Sequence, residues 1–257
     1  MAEQGTTLPD RMEWCARHLR MIAFPVEPQL TAEQNWWAEL TGSQPEATLR
    51  KPQKREDSGT FQGVALTVEV DPFRVKWTVA PRIDADNFPD EFPTLGRAFE
   101  RRDWLIDVMG RWLTDCPPIK RLAFAANLLQ FVDSREEAYS RLNKYLLSVE
   151  VDPDSSDFMY RVNRRRESQT GIEGLRINRL CTWAAAKLSF GLYAVSQGTG
   201  ESQNVSIKED QNACVLELDV NTVPDFPGPQ LPKDTLLQIY TELVDVGLET
   251  AELGDCR

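Results

Sequence analysis

Apolar and polar residues alternate from Val64 to Val79: Val64, Leu66, Val68 and Val70, then Asp71-Pro72-Phe73, then Val75, Trp77 and Val79, with Thr67, Glu69, Arg74, Lys76 and Thr78 in the opposite phase. Period two with a turn in its middle predicts a hairpin with one wet face. From Leu95 to Leu113, Ala98, Leu105, Val108, Met109, Trp112 and Leu113 recur at helical spacing before Pro117-Pro118. This predicts a helix that covers the hairpin and stops at the prolines. Leu122 to Val132 is apolar in both phases, as a central strand buried on both faces would be. Ser134-Arg135-Glu136-Glu137 is a capping box for a helix with Ala138, Leu142, Tyr145 and Val149 on one stripe. Ala213 to Val220 alternates again, with Cys214, Leu216, Leu218 and Val220 in one phase and Glu217 and Asp219 in the other. After four prolines, Asp234 to Leu248 carries Leu236, Ile239, Tyr240 and Leu243 as a last helical stripe.

The first sixty residues are less regular. Arg11 to Met21 places Trp14, Leu19 and Met21 in a helical pattern, and Thr31-Ala32-Glu33-Gln34 caps a second helix with Trp36, Trp37 and Leu40, ended by Gly42. Ser43 to Gly59, with Pro45, Pro52, Arg50, Lys51, Lys54 and Arg55, reads as a linker. Ser196 to Gln211 is a polar excursion in which Gly198-Thr199-Gly200 is a flexible turn. The expected fold is therefore α+β: a mainly antiparallel sheet of about six strands with helices packed on one face, preceded by a helical N-terminal arm. The expected division is 1–58 for arm and linker and 59–257 for the core domain.

Composition narrows the setting. The chain of 257 residues is 41% hydrophobic, enough for a core of one large domain or two small ones. It reads as lacking a secretion signal and a membrane span, because its start is polar and its most apolar later stretch, Leu180 to Val195, contains Lys187. Five widely spaced cysteines, at 15, 116, 181, 214 and 256, include no Cys-x-x-Cys pair, so reduced thiols in a cytoplasm are expected, with Cys181 and Cys214 as small core residues. A formal charge of -11 disfavours attraction to nucleic acid or anionic membrane through overall charge.

Catalytic constellations are scarce. The one histidine, His18, lies in the least regular segment, which rules out a multi-histidine metal site and leaves little basis for a Ser-His-Asp arrangement. Neither a phosphate-binding Gly-x-x-x-x-Gly-Lys-Ser/Thr loop nor a dinucleotide Gly-x-Gly-x-x-Gly occurs in the expected context. The acidic loop with Asp84, Asp86, Asp90 and Glu91, and Asp152-Pro153-Asp154, lack calcium-loop spacing and read as solvated surface. Glu217-Leu218-Asp219 puts two carboxylates on one strand face without a lysine partner, a thin basis for a metal-dependent hydrolase. No cofactor and no metal are expected.

The most informative stretch is Phe158 to Leu180, which repeats one phrase: Arg161-Val162-Asn163-Arg164 and Arg176-Ile177-Asn178-Arg179 flank a turn containing Gly171 and Gly174. Two antiparallel strands of one hairpin follow. Arginines 161, 164, 165, 166, 176 and 179 face only Glu167 and Glu173, making this segment +4 within an acidic chain. If Asn163 lies opposite Asn178, Arg165 meets Arg176 and Arg161 meets Leu180, and Arg161, Asn163, Arg165, Arg176 and Asn178 share one face. Arg164 and Arg179 take the other face with Phe158, Tyr160, Val162, Leu175 and Ile177. A buried Arg179 would need a carboxylate, for which Glu217 or Asp219 is the nearest candidate. The arginine face suits either an acidic protein surface or a phosphate, nucleotide or nucleic-acid strand. Trp36 and Trp37 are candidates for packing onto the core or for docking a partner.

The phrase Gly174-Leu175-Arg176-Ile177-Asn178-Arg179, followed by Leu216-Glu217-Leu218-Asp219-Val220, resembles prokaryotic families of about this length that carry a Leu-Arg-Tyr-Ile-Asn-Arg signature. This chain has isoleucine directly after the arginine and lacks the tyrosine, and the resemblance reaches at most from Thr60 to the end. It carries no activity with it. The families' sporadic distribution among bacteria is like that of accessory genes such as phage-defence components. The expected function is a cytoplasmic, non-enzymatic accessory subunit of a bacterial multiprotein assembly that acts by binding other protein subunits. Anion or nucleic-acid binding through the arginine hairpin is the alternative, and a metal-dependent hydrolase is the second.

Overall fold

The computed structural model describes residues 11–28, 34–84, 89–195, 202–207 and 210–255. The capping residues Thr31, Ala32 and Glu33, Asp86 of the acidic loop, the Gly198-Thr199-Gly200 turn and Cys256 lie outside the described residues. Among those described, eleven strands occur in chain order: β1 (Cys15–Pro25), β2 (Ala47–Lys51), β3 (Lys54–Phe61), β4 (Val64–Asp71), β5 (Arg74–Pro81), β6 (Ile119–Val132), β7 (Met159–Glu167), β8 (Arg176–Leu188), β9 (Gly191–Val195), β10 (Ser202–Ile207) and β11 (Gln211–Thr222). Nine form one antiparallel sheet in the order β2, β3, β4, β5, β1, β6, β11, β8, β7, while β9 and β10 pair as a separate ribbon. The helices are α1 (Trp36–Thr41), α2 (Arg102–Asp115), α3 (Arg135–Tyr145) and α4 (Leu236–Leu253). No described helix is long and apolar enough to cross a membrane.

The expectation of about six strands behind a helical arm is corrected by this sheet. The stretch read as the first arm helix is β1, and it lies between β5 and β6 near the middle of the sheet. A bulge between Ala16 and His18 shifts its pairing with β6. Its buried residues therefore run Trp14, Ala16, Leu19, Met21, Ala23; the step of three across the bulge imitates helical spacing, although the remainder has period two. The stretch read as a linker supplies β2 and most of β3, which pair around Pro52-Gln53, where Gln53 has φ 60°. Arg50 and Lys51 lie on the edge strand β2, where charge protects a sheet from further strand pairing, and Lys54 on β3 is ion-paired with Glu69 at 2.6 Å. Strand β3 crosses the expected domain boundary at residue 58, so one sheet draws strands from both sides of it.

All the helices lie on one face. Leu19, Met21, Leu66, Val68, Val75, Trp77, Phe124, Leu128, Cys181, Trp183, Leu216 and Leu218 point to that side and are buried. The Trp77 and Trp36 rings meet Trp112 of α2 edge-on at 6.3 and 5.6 Å. The Trp14 indole N–H donates to the Ala251 carbonyl at 2.8 Å, and the Tyr145 hydroxyl donates to Thr250 and Ala251 carbonyls at 3.1 and 2.9 Å, which ties β1 and α3 to the last turns of α4. These bonds satisfy polar atoms that the apolar layer would otherwise leave unpaired.

Candidate functional site

Among the described residues, the other face of the sheet carries no helix. Strand register lays its side chains out in rows over β7, β8, β11, β6 and β1. One row is Arg161, Thr182, Glu217, Asn127, His18; the next is Asn163, Leu180, Asp219, Ala125, Arg20; the third is Arg165, Asn178, Asn221, Ala123, Ile22. Small residues in the middle of these rows leave a groove of about 450 Å³. Arg161 and Met159 flank it on one side, His18 and Arg20 on the other, with Glu217 and Asp219 between them. At one end of this face Phe92 meets Phe131 at a tilt and Phe190 edge-on, with ring centroids 5.8 and 5.3 Å apart, and packs under Arg17.

Beside the groove runs a chain of amide contacts. Arg165 Nε donates to Asn178 Oδ1 at 2.9 Å, Asn178 Nδ2 to Asn221 Oδ1 at 3.0 Å, and Asn221 Nδ2 to Asp219 Oδ1 at 2.8 Å. Arg121, whose guanidinium lies 4.8 Å above the Phe24 ring, donates to the same Asn221 oxygen at 3.2 Å. Such a network fixes each amide's orientation, because every donor has one acceptor within reach. Asn127 is buried and donates to Glu217 Oε1 at 3.4 Å, yet its own Oδ1 has no hydrogen-bond partner, and neither has the buried Arg20 Nε. A desolvated amide oxygen without a donor is costly, so the groove keeps hydrogen-bonding capacity in reserve.

The expected arginine face is present with a different register. Asn163 lies opposite Leu180 and Arg165 opposite Asn178, a slip of two residues set by the longer turn that Ser168 closes on Leu175. An even slip preserves the faces, so Arg161, Asn163, Arg165, Asn178 and Arg176 do share one side. Arg176, however, meets Glu167 and is ion-paired with Asp225 at 2.7 Å, away from Arg165. Arg161 and Arg165 form no ion pair among the described residues. Arg179 does not pair with Glu217 or Asp219: it lies opposite Val220 on the helix side, whereas those carboxylates lie opposite Thr182 and Leu180 on the open side. Trp36 and Trp37 are buried, one against Trp112 and the other against Gly59, and present no indole for docking.

His18, Arg20, Asn127, Arg121 and Asn221 belong to the site without having been read from the sequence. The available signal was Asn127 itself, an amide inside an otherwise apolar run of its strand. Burial, then Arg20, Arg17 and Lys76, push His18 down to about 4 from its ordinary 6.5, so it is a neutral imidazole at pH 7. Between pH 6.5 and 4 the unfolded chain therefore binds a proton at His18 that the folded chain refuses, and stability present above pH 6.5 is lost as pH falls. We expect wild type to lose ~1 kcal/mol more than His18→Gln on going from pH 7 to pH 5, a figure reduced for partial solvent exposure. Thermal unfolding of both proteins at the two pH values checks this; equal losses would show an unperturbed histidine.

Among the described residues, no three His, Cys, Asp or Glu side chains converge as metal ligands. Glu217 Oε1 accepts from Asn127, and Asp219 Oδ1 accepts from Asn221. The arrangement offers cationic forks at its flanks, carboxylates at its centre and amides between. No protein-family model matches this chain, and no curated protein matches it.

Proposed function

We propose that this protein is a non-enzymatic binding subunit that docks a partner polypeptide on the open face of its sheet. The supporting observation is the groove between Arg20 and Arg161, where two exposed-side arginines, 161 and 165, have no internal carboxylate and two carboxylates occupy the middle. A polypeptide carries both signs of charge and amide groups, and can complement all three features. A nucleic-acid strand would lay its phosphates across Glu217 and Asp219, and no Phe, Tyr or Trp lines the groove to stack a base. The wider setting, an accessory subunit of a bacterial multiprotein assembly, rests on the resemblance of the Gly174–Arg179 phrase alone.

The test is purification of the tagged full chain from its own cells. The expected result is a stoichiometric protein partner and no retardation of labelled oligonucleotides at physiological salt. Salt-sensitive oligonucleotide binding that requires Arg161 and Arg165, or substrate turnover by the isolated monomer, would overturn the proposal.

A further inference from the structure

The helix side of the same hairpin holds a second cluster of arginines, and it is separate from the docking face because period two sends Arg161, Asn163 and Arg165 one way and Arg164 and Arg166 the other. Arg164 and Arg179 are direct cross-strand neighbours. Two like charges in that relation repel unless something between them carries the opposite charge. The two side chains line, with Arg166 and with Arg165 at its border, an open cavity of about 600 Å³ whose far wall is the end of α4 at Glu249, Thr250, Leu253 and Gly254.

The carboxylates nearby engage Arg166 or backbone and hydroxyl donors, and among the described residues none pairs with Arg164 or Arg179. Glu242 lies 3.4 Å from Arg166 and also accepts from the Ser168 hydroxyl at 2.6 Å and the Gln169 amide at 2.8 Å. Glu249 lies 3.5 Å from Arg166. The Asp255 carboxylate accepts from Leu147 N at 3.1 Å and from the Ser148 hydroxyl, so Arg164 reaches only the Asp255 backbone carbonyl. Arg179 has no ion pair among the described residues, and the buried Nε of Arg166 has no hydrogen-bond partner.

We propose that this cavity binds the phosphoryl group of a small phosphorylated molecule, held between the guanidinium groups of Arg164 and Arg179. Guanidinium forks match phosphate oxygens in pairs. The volume exceeds what one phosphate fills and lies within the range of small-molecule sites, so the organic part of the ligand occupies the space beside Thr250 and Leu253. The bound dianion removes the Arg164–Arg179 repulsion, which makes the site an anion-dependent clamp between the hairpin and the end of α4.

Calorimetry and thermal unfolding at constant ionic strength test this with inorganic phosphate and AMP as probes. The expected result is saturable binding of both, tighter for AMP, with a rise in unfolding temperature. Arg179→Ala should weaken binding at least tenfold while unfolding at the wild-type temperature or above when no phosphate is present, because it relieves the repulsion. Arg161→Ala, on the other face, should bind as wild type does. Absence of saturable binding up to roughly 10 mM, a limit that still reveals millimolar affinity, would overturn the proposal. So would equal binding by Arg179→Ala, no preference for AMP over phosphate, or an Arg179→Ala protein destabilised without ligand, which would mark the arginine as structural.

Discussion

Reversing Arg161 and Arg165 together to glutamate is expected to weaken partner binding by a hundredfold or more and to leave the unfolding temperature within about 2 °C of wild type. Both side chains stand on the exposed phase of β7, and neither neutralises an internal carboxylate, so their removal leaves no buried charge behind. Arg165 does give up its bond to Asn178, but Asn178 Oδ1 still accepts from Asn163 at 3.4 Å, and Asn178 still donates to Asn221. In a complex each arginine supplies a charge-assisted hydrogen bond of about 1.5–3 kcal/mol, and a glutamate in its place adds repulsion against the acidic group it met. At 1.4 kcal/mol per tenfold, the pair exceeds two decades. Arg50→Glu, on the far edge strand β2, should cost nothing. Surface-plasmon or anisotropy titration of the co-purified partner measures all three proteins, and equal affinities would remove the open face from the binding account.

Gly247→Val is expected to cost ~3 kcal/mol of stability through overpacking, which for a chain of this size lowers the unfolding temperature by roughly 10 °C. Gly247 lies in the middle of α4, where any side chain except proline's would normally favour the helix over glycine. A Cβ at this position would lie 2.7 and 2.9 Å from Phe124 Cε1 and Cδ1, and 3.5 Å from Leu218 Cδ1. Phe124 belongs to β6 and is fully buried, so its ring has no open space to turn into. The helix must instead rise off β6 and β11, and the Trp14 and Tyr145 hydrogen bonds to its last turns weaken with it. Gly247→Ala should show the same effect at about a third of the size, because gained helix propensity offsets part of the clash. Chemical denaturation of the three proteins decides it; a valine variant as stable as wild type would mean that α4 does not approach the sheet this closely.

The elements that local pattern specifies were legible. The β4–β5 hairpin, β6 as an apolar strand, the Ser134 cap, which accepts from Glu137 N at 3.1 Å, and the stripe of α4 each depend on residues close in sequence. What failed depends on pairing at long range or on a break in period. The bulge before His18 disguised β1 as a helix, and charges that protect an edge disguised β2 and β3 as a linker. The face of the arginine hairpin was readable because parity survives a slip of two, whereas its register was not, since the turn from Ser168 to Leu175 sets it. The misplaced Arg179 pair fails on parity instead: Glu217 and Asp219 alternate with Leu216 and Leu218, so an arginine on the core side meets Val220. His18, Arg20 and Asn127 were invisible as site residues because nothing local says that β6 lies beside β11 and β1 beside β6.

The most direct test of the docking face is arginine-selective labelling with phenylglyoxal, comparing the free protein with its purified complex by mass spectrometry. The account predicts that Arg161 and Arg165 are modified in the free protein and protected in the complex, while Arg50 and Arg111 are modified equally in both. Equal modification of Arg161 and Arg165 in the two states would contradict it.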